Sequence, residues 1–450
     1  MRYFLRVAQK PVNRDKPDKP GGVWYGKKMN STDRRRFLQS AATVATTLML
    51  PPLAGQFSSI AADRTKLPVA AIVTVYRTFS HADVIVGKIL EGWQQDRGPG
   101  PDLKLVSIYV DQVGSDDLSR SLSERYGFKI ANTIDDAITL GTDSVQVAGV
   151  LSIGEHGDYP LKPETQQIIY PRRRFFEQIA AGFQRGGKVV PVFNDKHLAH
   201  SWQDAKFMYD LARERKIPFL AGSSVPVAWR LPPLELDPND ELESALTIGY
   251  SDLERYGIHA IEGHQAMIER RRGGESGILS VQALRGDAIY QAAAENRWSV
   301  ELFESALAMV PGKPSASSDW TKSKETALYL LEHRDGLKSA VAMVGGLTPN
   351  FAFAARVKGR EKPVATWFQL QEAPPFGHFA FLLRAIEETI HTGKAVYPVE
   401  RTLLTTGTLD RLMQSLVENG RRLDTPELAI SYNPTDWPFA NHSQTRLKLR

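Results

Sequence analysis

The chain has no cysteine among its 450 residues, which excludes disulfides, thiolate metal sites and cysteine nucleophiles. It also has little excess charge. Fifty-six Lys and Arg against fifty-one Asp and Glu leave a net +5, too weak over this length to mark a nucleic-acid surface. No segment past the N-terminal region approaches the roughly twenty apolar residues of a membrane-spanning helix, so no stable membrane insertion is expected. Internal repeats are absent, and so is low-complexity sequence beyond the first residues, which excludes solenoids and arrays. What remains is the composition of a globular protein, 42% hydrophobic and 24% charged. Roughly 390 residues beyond the N-terminal region are too many for one ordinary core and suggest two domains. Without disulfides, those cores alone must hold the fold.

The N-terminal region has its own pattern. Arg34-Arg35-Arg36-Phe37-Leu38-Gln39 leads into a mildly apolar run from Ala41 to Leu50 that ends at Pro51-Pro52. A basic pair, then Phe-Leu, then about ten weakly hydrophobic residues is similar to a bacterial twin-arginine export signal. Asp33 and Gln39 depart from its usual residues. Ala54, Ser59 and Ala61 offer cleavage positions, and Met29 is a suitable first residue, so residues 29–61 read as the signal. Residues 1–28, rich in Lys, Pro and Gly, read as a disordered leader or a mis-assigned start. The resemblance implies the twin-arginine translocation machinery as a partner and a periplasmic or otherwise exported protein, carried across the membrane already folded.

From Lys66 onward, strands and helices alternate. Val69–Tyr76 and Leu103–Val110 are continuous apolar runs, as expected of strands covered on both faces. Ala82–Trp93, Asp116–Tyr126, Ile134–Leu140 and Arg172–Gln184 have helical spacing, with Gly127 and Gly186-Gly187 as stops. Val145–Ser152, Lys188–Phe193 and Ile217–Ala221 supply further strands, and Ser201-x-x-Asp204 opens a helix in capping-box fashion. This rhythm predicts a Rossmann-type α/β domain with a parallel sheet over about 66–222. Its ligand crevice lies past the strand ends, at Thr74–His81, Asp111, Gly154–Tyr159 and Asn194–His197. After Pro226 the pattern changes. Leu246–Tyr250, Ile278–Leu284, Ser339–Val344, Phe351–Val357 and Val364–Leu370 read as strands, Gly257–Arg270, Phe379–His391 and Thr408–Asn419 as helices. The prediction for 223–430 is an α+β domain with a largely antiparallel sheet, followed by an irregular tail over 431–450.

The order of these segments resembles the Gfo/Idh/MocA oxidoreductases, a family that includes glucose–fructose oxidoreductase and inositol dehydrogenase. Phe128–Ile138 (FKIANTIDDAI) is similar to the family's segment after its second helix. Gly186–Val190 followed by Asn194–Ala199 is similar to its GKHVxxEKPLA segment, with Asp195 in place of Glu and His197 in place of Pro. Gly257-Ile258-His259-Ala260-Ile261-Glu262 is similar to the GxHxxD start of its second domain, and Phe379–Leu428 to its closing helix and strand. The resemblance implies hydride exchange with NAD(P) on a sugar, polyol or related hydroxylated molecule. It implies Lys196 and His259 as the acid/base pair, with Glu262 matching the family's Asp. A homo-oligomer through the open face of the second sheet is implied as well.

The first turn departs from the family. Its G-x-G-x-x-G lets phosphates reach backbone N–H groups at a helix start. Counting back from His81, those positions hold Val73, Val75 and Thr78. Either no dinucleotide is bound, or NAD(P) is held by side chains such as Arg77 and Ser80, with Asp111 toward the ribose and Asp195 near the cofactor. A lone Asp at a strand end is more often a helix cap, and Asp111 reads first as that. The first alternative is a cofactor-free protein that binds carbohydrate, or a hydrolase or isomerase, at the same crevice. Independently of any family, Gly154-Glu155-His156-Gly157 follows a buried strand at the same mouth, which suits acid/base work or the binding of sugar hydroxyls or a divalent ion. His259, Glu262 and His264 lack metal-ligand spacing, so no metal is assigned. Arg172–Arg174 and Arg270–Arg272 read as solvated or helix-dipole clusters. Trp202, Trp229, Trp298 and Trp367 read as core or interface.

Overall fold

The apolar runs become a six-stranded parallel sheet. Its strands are β1 (Leu67–Val73), β2 (Leu103–Val110), β3 (Lys129–Ile130), β4 (Gly149–Ile153), β5 (Val192–Asp195) and β6 (Phe219–Gly222), in the order β3-β2-β1-β4-β5-β6. Every neighbouring pair is parallel. The sheet reverses direction between β1 and β4, the place where such folds open a crevice. Side-chain alternation along β1 explains its continuous apolar run. Ala70 and Ile72 face α3 (Ile134–Thr139), α4 (Arg172–Arg185) and α5 (Trp202–Glu214), whereas Val69, Ala71 and Val73 face α1 (His81–Glu91). The remaining helix of this half, α2 (Ser119–Tyr126), ends at Gly127 with φ 73°, the left-handed stop that glycine adopts freely. Thr133 and Ser201 cap α3 and α5 by accepting from Asp136 and Asp204 N–H.

The structure is a computed structural model and describes residues 65–312, 320–371 and 373–441. The described residues belong to one compact unit. The leader and the export signal therefore lie outside the described residues.

The second sheet has eight strands: β7 (Trp229–Leu231), β8 (Leu242–Gly249), β9 (Ile278–Leu284), β10 (Ala327–His333), β11 (Lys338–Met343), β12 (Phe351–Val357), β13 (Val364–Gln369) and β14 (Leu423–Asp424). Their order is β14-β9-β10-β11-β8-β12-β13-β7, and only β8 and β11 pair parallel. Its inner face packs on α6 (Gly257–Ile268) and α10 (Glu400–Val417), in one core with the helices of the first sheet. The helix α9 (His378–Thr392) instead returns to the first sheet, beside α1. On the outer face, α7 (Asp287–Ala294) and α8 (Val300–Leu307) cover Leu246, Ile248, Ala352 and Ala354. Over β8 and β12 the face on which the oligomer expectation relied is thus covered by this chain's own helices. No helix among the described residues is long and apolar enough to cross a membrane.

The elements β3, β7, β10, α7 and α8 were not foreseen. At two residues, β3 is too short to show a period. The strand β10 is apolar on both faces, and α7 and α8 are short. In addition, α10 begins at Glu400 rather than Thr408. Threonine is a weak helix former, but Thr402 donates to Ala221 O and Thr406 accepts from Leu198 N–H, so tertiary bonding outweighs propensity.

Candidate functional site

Three strand-end loops meet at the mouth of the first sheet, and each brings a non-glycine residue at positive φ to it. These are Phe79 (63°) after β1, His156 (67°) after β4 and Lys196 (63°) after β5. Such backbone strain persists only where surrounding contacts over-determine it, and it concentrates at functional sites.

Glu155 lies at the centre of this mouth. It is buried, and accepts from Lys196 Nζ at 2.8 Å on one oxygen and from Arg172 Nη2 at 2.7 Å on the other. Burial pushes its carboxyl up, but Lys196 and Arg172 outweigh burial and hold it well below the usual range. Lys196 also donates to Arg255 O at 3.2 Å, which ties the first sheet to the segment entering α6. Arg172 is fully buried, and Gly154 makes room for it: a Cβ there would stand 2.7 Å from Arg172 Cγ. His197 Nε2 stands 3.0 Å from Arg172 Nη1 and 3.1 Å from Glu254 Oε1, so it serves one of them at a time.

Two further histidines face the same space. His81 Nδ1 donates to the buried Asp195 at 2.6 Å. Its ring meets His156 edge-on at 5.4 Å. His156 is lowered to about 4, first by burial and then by His81. From α6, the half-buried His259 stands between Tyr256 and Phe351, and its Nδ1 has no partner. Burial first, then the charge of Lys196, holds its imidazole well below the ordinary value, so it is neutral near pH 7. The structure therefore brings Glu155, His156, Lys196 and His259 to one crevice. Glu262 stays outside it. It lies behind the end of β6, with one oxygen on Ser223 N–H at 2.7 Å and the other on Thr402 Oγ1 at 3.1 Å. Burial pushes it up to about 7.

The residues expected to serve a cofactor are otherwise engaged. Asp111 neither caps a helix nor stands free. It accepts from Arg174 at 2.7 Å on both oxygens and from Tyr109 and Tyr159 at 2.8 Å. Ser80 caps α1 by accepting from Asp83 N–H at 3.3 Å, and Asp83 accepts from Phe79 N–H at 2.8 Å. Arg77 is exposed, 3.9 Å from Asp116. Asp195 is buried on His81.

The arginine runs are not merely solvated. Arg172 and Arg271 are buried on Glu155 and Glu275, while Arg173, Arg174, Arg270 and Arg272 each hold a carboxylate. Arg172, His81, His197 and Glu254 went unread as site residues. Only the position of His81 after the turn and the Asp195-Lys196-His197 triplet signalled any of them.

The chain is similar in structure to GenD2 of gentamicin A biosynthesis, solved in complex with NAD. The TM-score is 0.52 at 13% identity, over 81% of this chain and 97% of that one. It is also similar to a candidate myo-inositol dehydrogenase from Sinorhizobium meliloti (TM-score 0.51, 13% identity, 80% and 99% covered) and a myo-inositol dehydrogenase from Corynebacterium glutamicum (0.50, 13%, 80% and 98%). The fold is that of the Gfo/Idh/MocA oxidoreductases. No protein-family model and no curated protein matches the chain.

The fold brings a dinucleotide site to mind, and the residues present do not fit one. A pyrophosphate needs backbone N–H groups at the start of α1 and close approach past glycine. Here Ser80 takes Asp83 N–H and Asp83 takes Phe79 N–H, Val73 is fully buried, and the buried Tyr76 stands in the turn where the family has glycine. The adjoining cleft, about 450 Å³, is lined by Asp116, Asp117 and Asp158 against one cation, Arg77. That balance repels a phosphate. Among the described residues no group of three or more His, Asp or Glu is arranged to hold a metal.

Proposed function

We propose that this chain is an exported protein that takes a small hydroxylated ligand, a sugar or polyol, in the crevice of Glu155, His156, Lys196 and His259 without a bound dinucleotide. The observation that carries this reading is the closed start of α1 beside an intact polar crevice. The Lys196 ammonium, anchored on Glu155, is a hydrogen-bond donor for a ligand oxygen. Neutral His259 accepts a proton from a hydroxyl, as a general base does. His81, fixed by Asp195, orients the opposite wall. The reaction class is proton exchange at a hydroxyl, in a binding protein or a non-redox enzyme. GenD2 was solved with NAD, which makes NAD(P)-dependent oxidation the rival outcome.

One test separates the two. The purified protein is denatured and its supernatant assayed for NAD(P) by absorbance and mass spectrometry, then native protein is titrated calorimetrically with sugars and polyols. An empty supernatant together with polyol binding lost in Lys196→Ala supports the proposal. One equivalent of NAD(P) per chain overturns it. Export is tested by fractionating cells that express the tagged chain with Arg34 and Arg35 changed to Lys. Periplasmic wild type and cytoplasmic variant are expected, and a cytoplasmic wild type refutes export.

A further inference from the structure

Away from the crevice, Arg230 on β7 is a buried cation without an anion. It is only 4% exposed. Its Nη1 donates to Leu234 O at 3.0 Å and its Nη2 to Pro226 O at 3.2 Å, while Nε has no partner. No described carboxylate forms an ion pair with it. The nearby acids are committed elsewhere: Glu235 stands 3.3 Å from Arg270, and Glu269 pairs with Arg401 and accepts from Tyr432. The Phe439 ring lies 3.8 Å from the guanidinium and only partly compensates the charge. Burial lowers Arg230 to about 9, with Glu235 opposing and Arg401 and Arg270 adding to the fall. A buried charge left unpaired costs several kcal/mol, which calls for a counter-charge.

The space for one is present. Arg230, Arg270 and Arg401 line a cavity of about 30 Å³ with Glu235, Glu269, Trp437 and Phe439. That is room for on the order of two waters, or one halide ion. Glu235 and Glu269 are paired with Arg270 and Arg401, so the lining keeps one guanidinium, that of Arg230, in excess, and the chain's own tail forms part of the wall. Asn441 clamps Arg230 through both backbone groups, accepting from its N–H at 2.8 Å and donating to its carbonyl at 2.9 Å, and Ala440 N–H donates to Val227 O at 3.0 Å.

We infer that this cavity binds a small monovalent anion of chloride size, held by Arg230 and braced by the C-terminal tail. The ion compensates the buried guanidinium and fastens the tail over the junction of β6, β7 and α6. It is separate from the ligand crevice and does not depend on its function.

The test uses the full chain at fixed ionic strength, so that screening is constant. Thermal unfolding is followed as sodium chloride replaces sodium gluconate. A saturable rise in Tm with chloride, repeated with bromide and absent in Arg230→Met, is expected from linkage of ligand to the folded state. Should Arg230→Met fail to fold, the wild type still decides. Crystals soaked in bromide should show an anomalous peak at hydrogen-bond distance from Arg230 Nε. Equal Tm in chloride and gluconate, or a bromide-soaked cavity holding water alone, overturns the inference.

Discussion

Glu155 and Glu262 show how environment assigns opposite roles to one side-chain type. Glu155 is ionised because Lys196 and Arg172 flank it. Changing it to Ala strands two buried cations, and a loss of about 3–5 kcal/mol is expected in urea unfolding. Glu262 has neither cation in contact, and its value rises from 4.5 to about 7. A folded value above the unfolded one means the native state binds the extra proton between those pH values, so stability falls as pH rises from 4.5 through 7. Glu262→Gln keeps an acceptor for Ser223 N–H and removes that slope. Its stability relative to wild type should improve by roughly 3 kcal/mol between pH 4 and pH 8. An unchanged difference across that range would contradict the buried, uncompensated carboxyl. His259, half-buried and outside the ion-pair set, is expected to behave otherwise: His259→Ala should abolish ligand chemistry while shifting Tm little.

At the scale of elements, α1 is the telling case. Its start is self-capped: Ser80 accepts from Asp83 N–H and Asp83 accepts from Phe79 N–H. Ser80→Ala should cost about 1 kcal/mol in denaturant unfolding, the typical value of a lost cap. The same helix carries Lys88, fully buried, whose ammonium donates to Pro375 O in the segment leading into α9 and to Gln95 at 3.3 Å. Burial lowers Lys88 from 10.5 to about 8, partly opposed by Asp83. A lowered folded value for a base means the unfolded chain binds more protons between pH 8 and 10.5, so stability should rise over that window. Thermal scans of wild type and Lys88→Met across it should show the slope in the first and not in the second.

Across the whole molecule, the site exists only because two sheets share one interface. Lys196 leaves β5, Glu155 follows β4, Arg255 precedes α6, and their contacts join at one point. The covering of the second sheet by α7 and α8 has a consequence of the same scale. Removing apolar contact there, as in Phe303→Asp, should expose Leu246 and Ile248 and drive the protein toward aggregation in size-exclusion chromatography.

Fold class was legible in the sequence because buried parallel strands have to be apolar throughout, and because glycine and Ser/Thr caps punctuate helices locally. Leu103–Val110, Ile278–Leu284 and Phe351–Val357 were readable to the residue. The crevice loops were legible for the same reason, since topology alone places strand ends together, and so was the missing glycine turn. Partnership was not. Nothing local distinguishes Arg172, fully buried on Glu155, from Arg173, half-exposed beside it. Asp111 read as a ribose ligand or a cap until Arg174, distant along the chain, closed on it. Sequence determined the periods, caps and strand ends because these depend on neighbours along the backbone. Tertiary structure decided which charges are paired, which histidines are neutral and where Arg230 is left without an anion, because those depend on burial and on groups far apart in the chain.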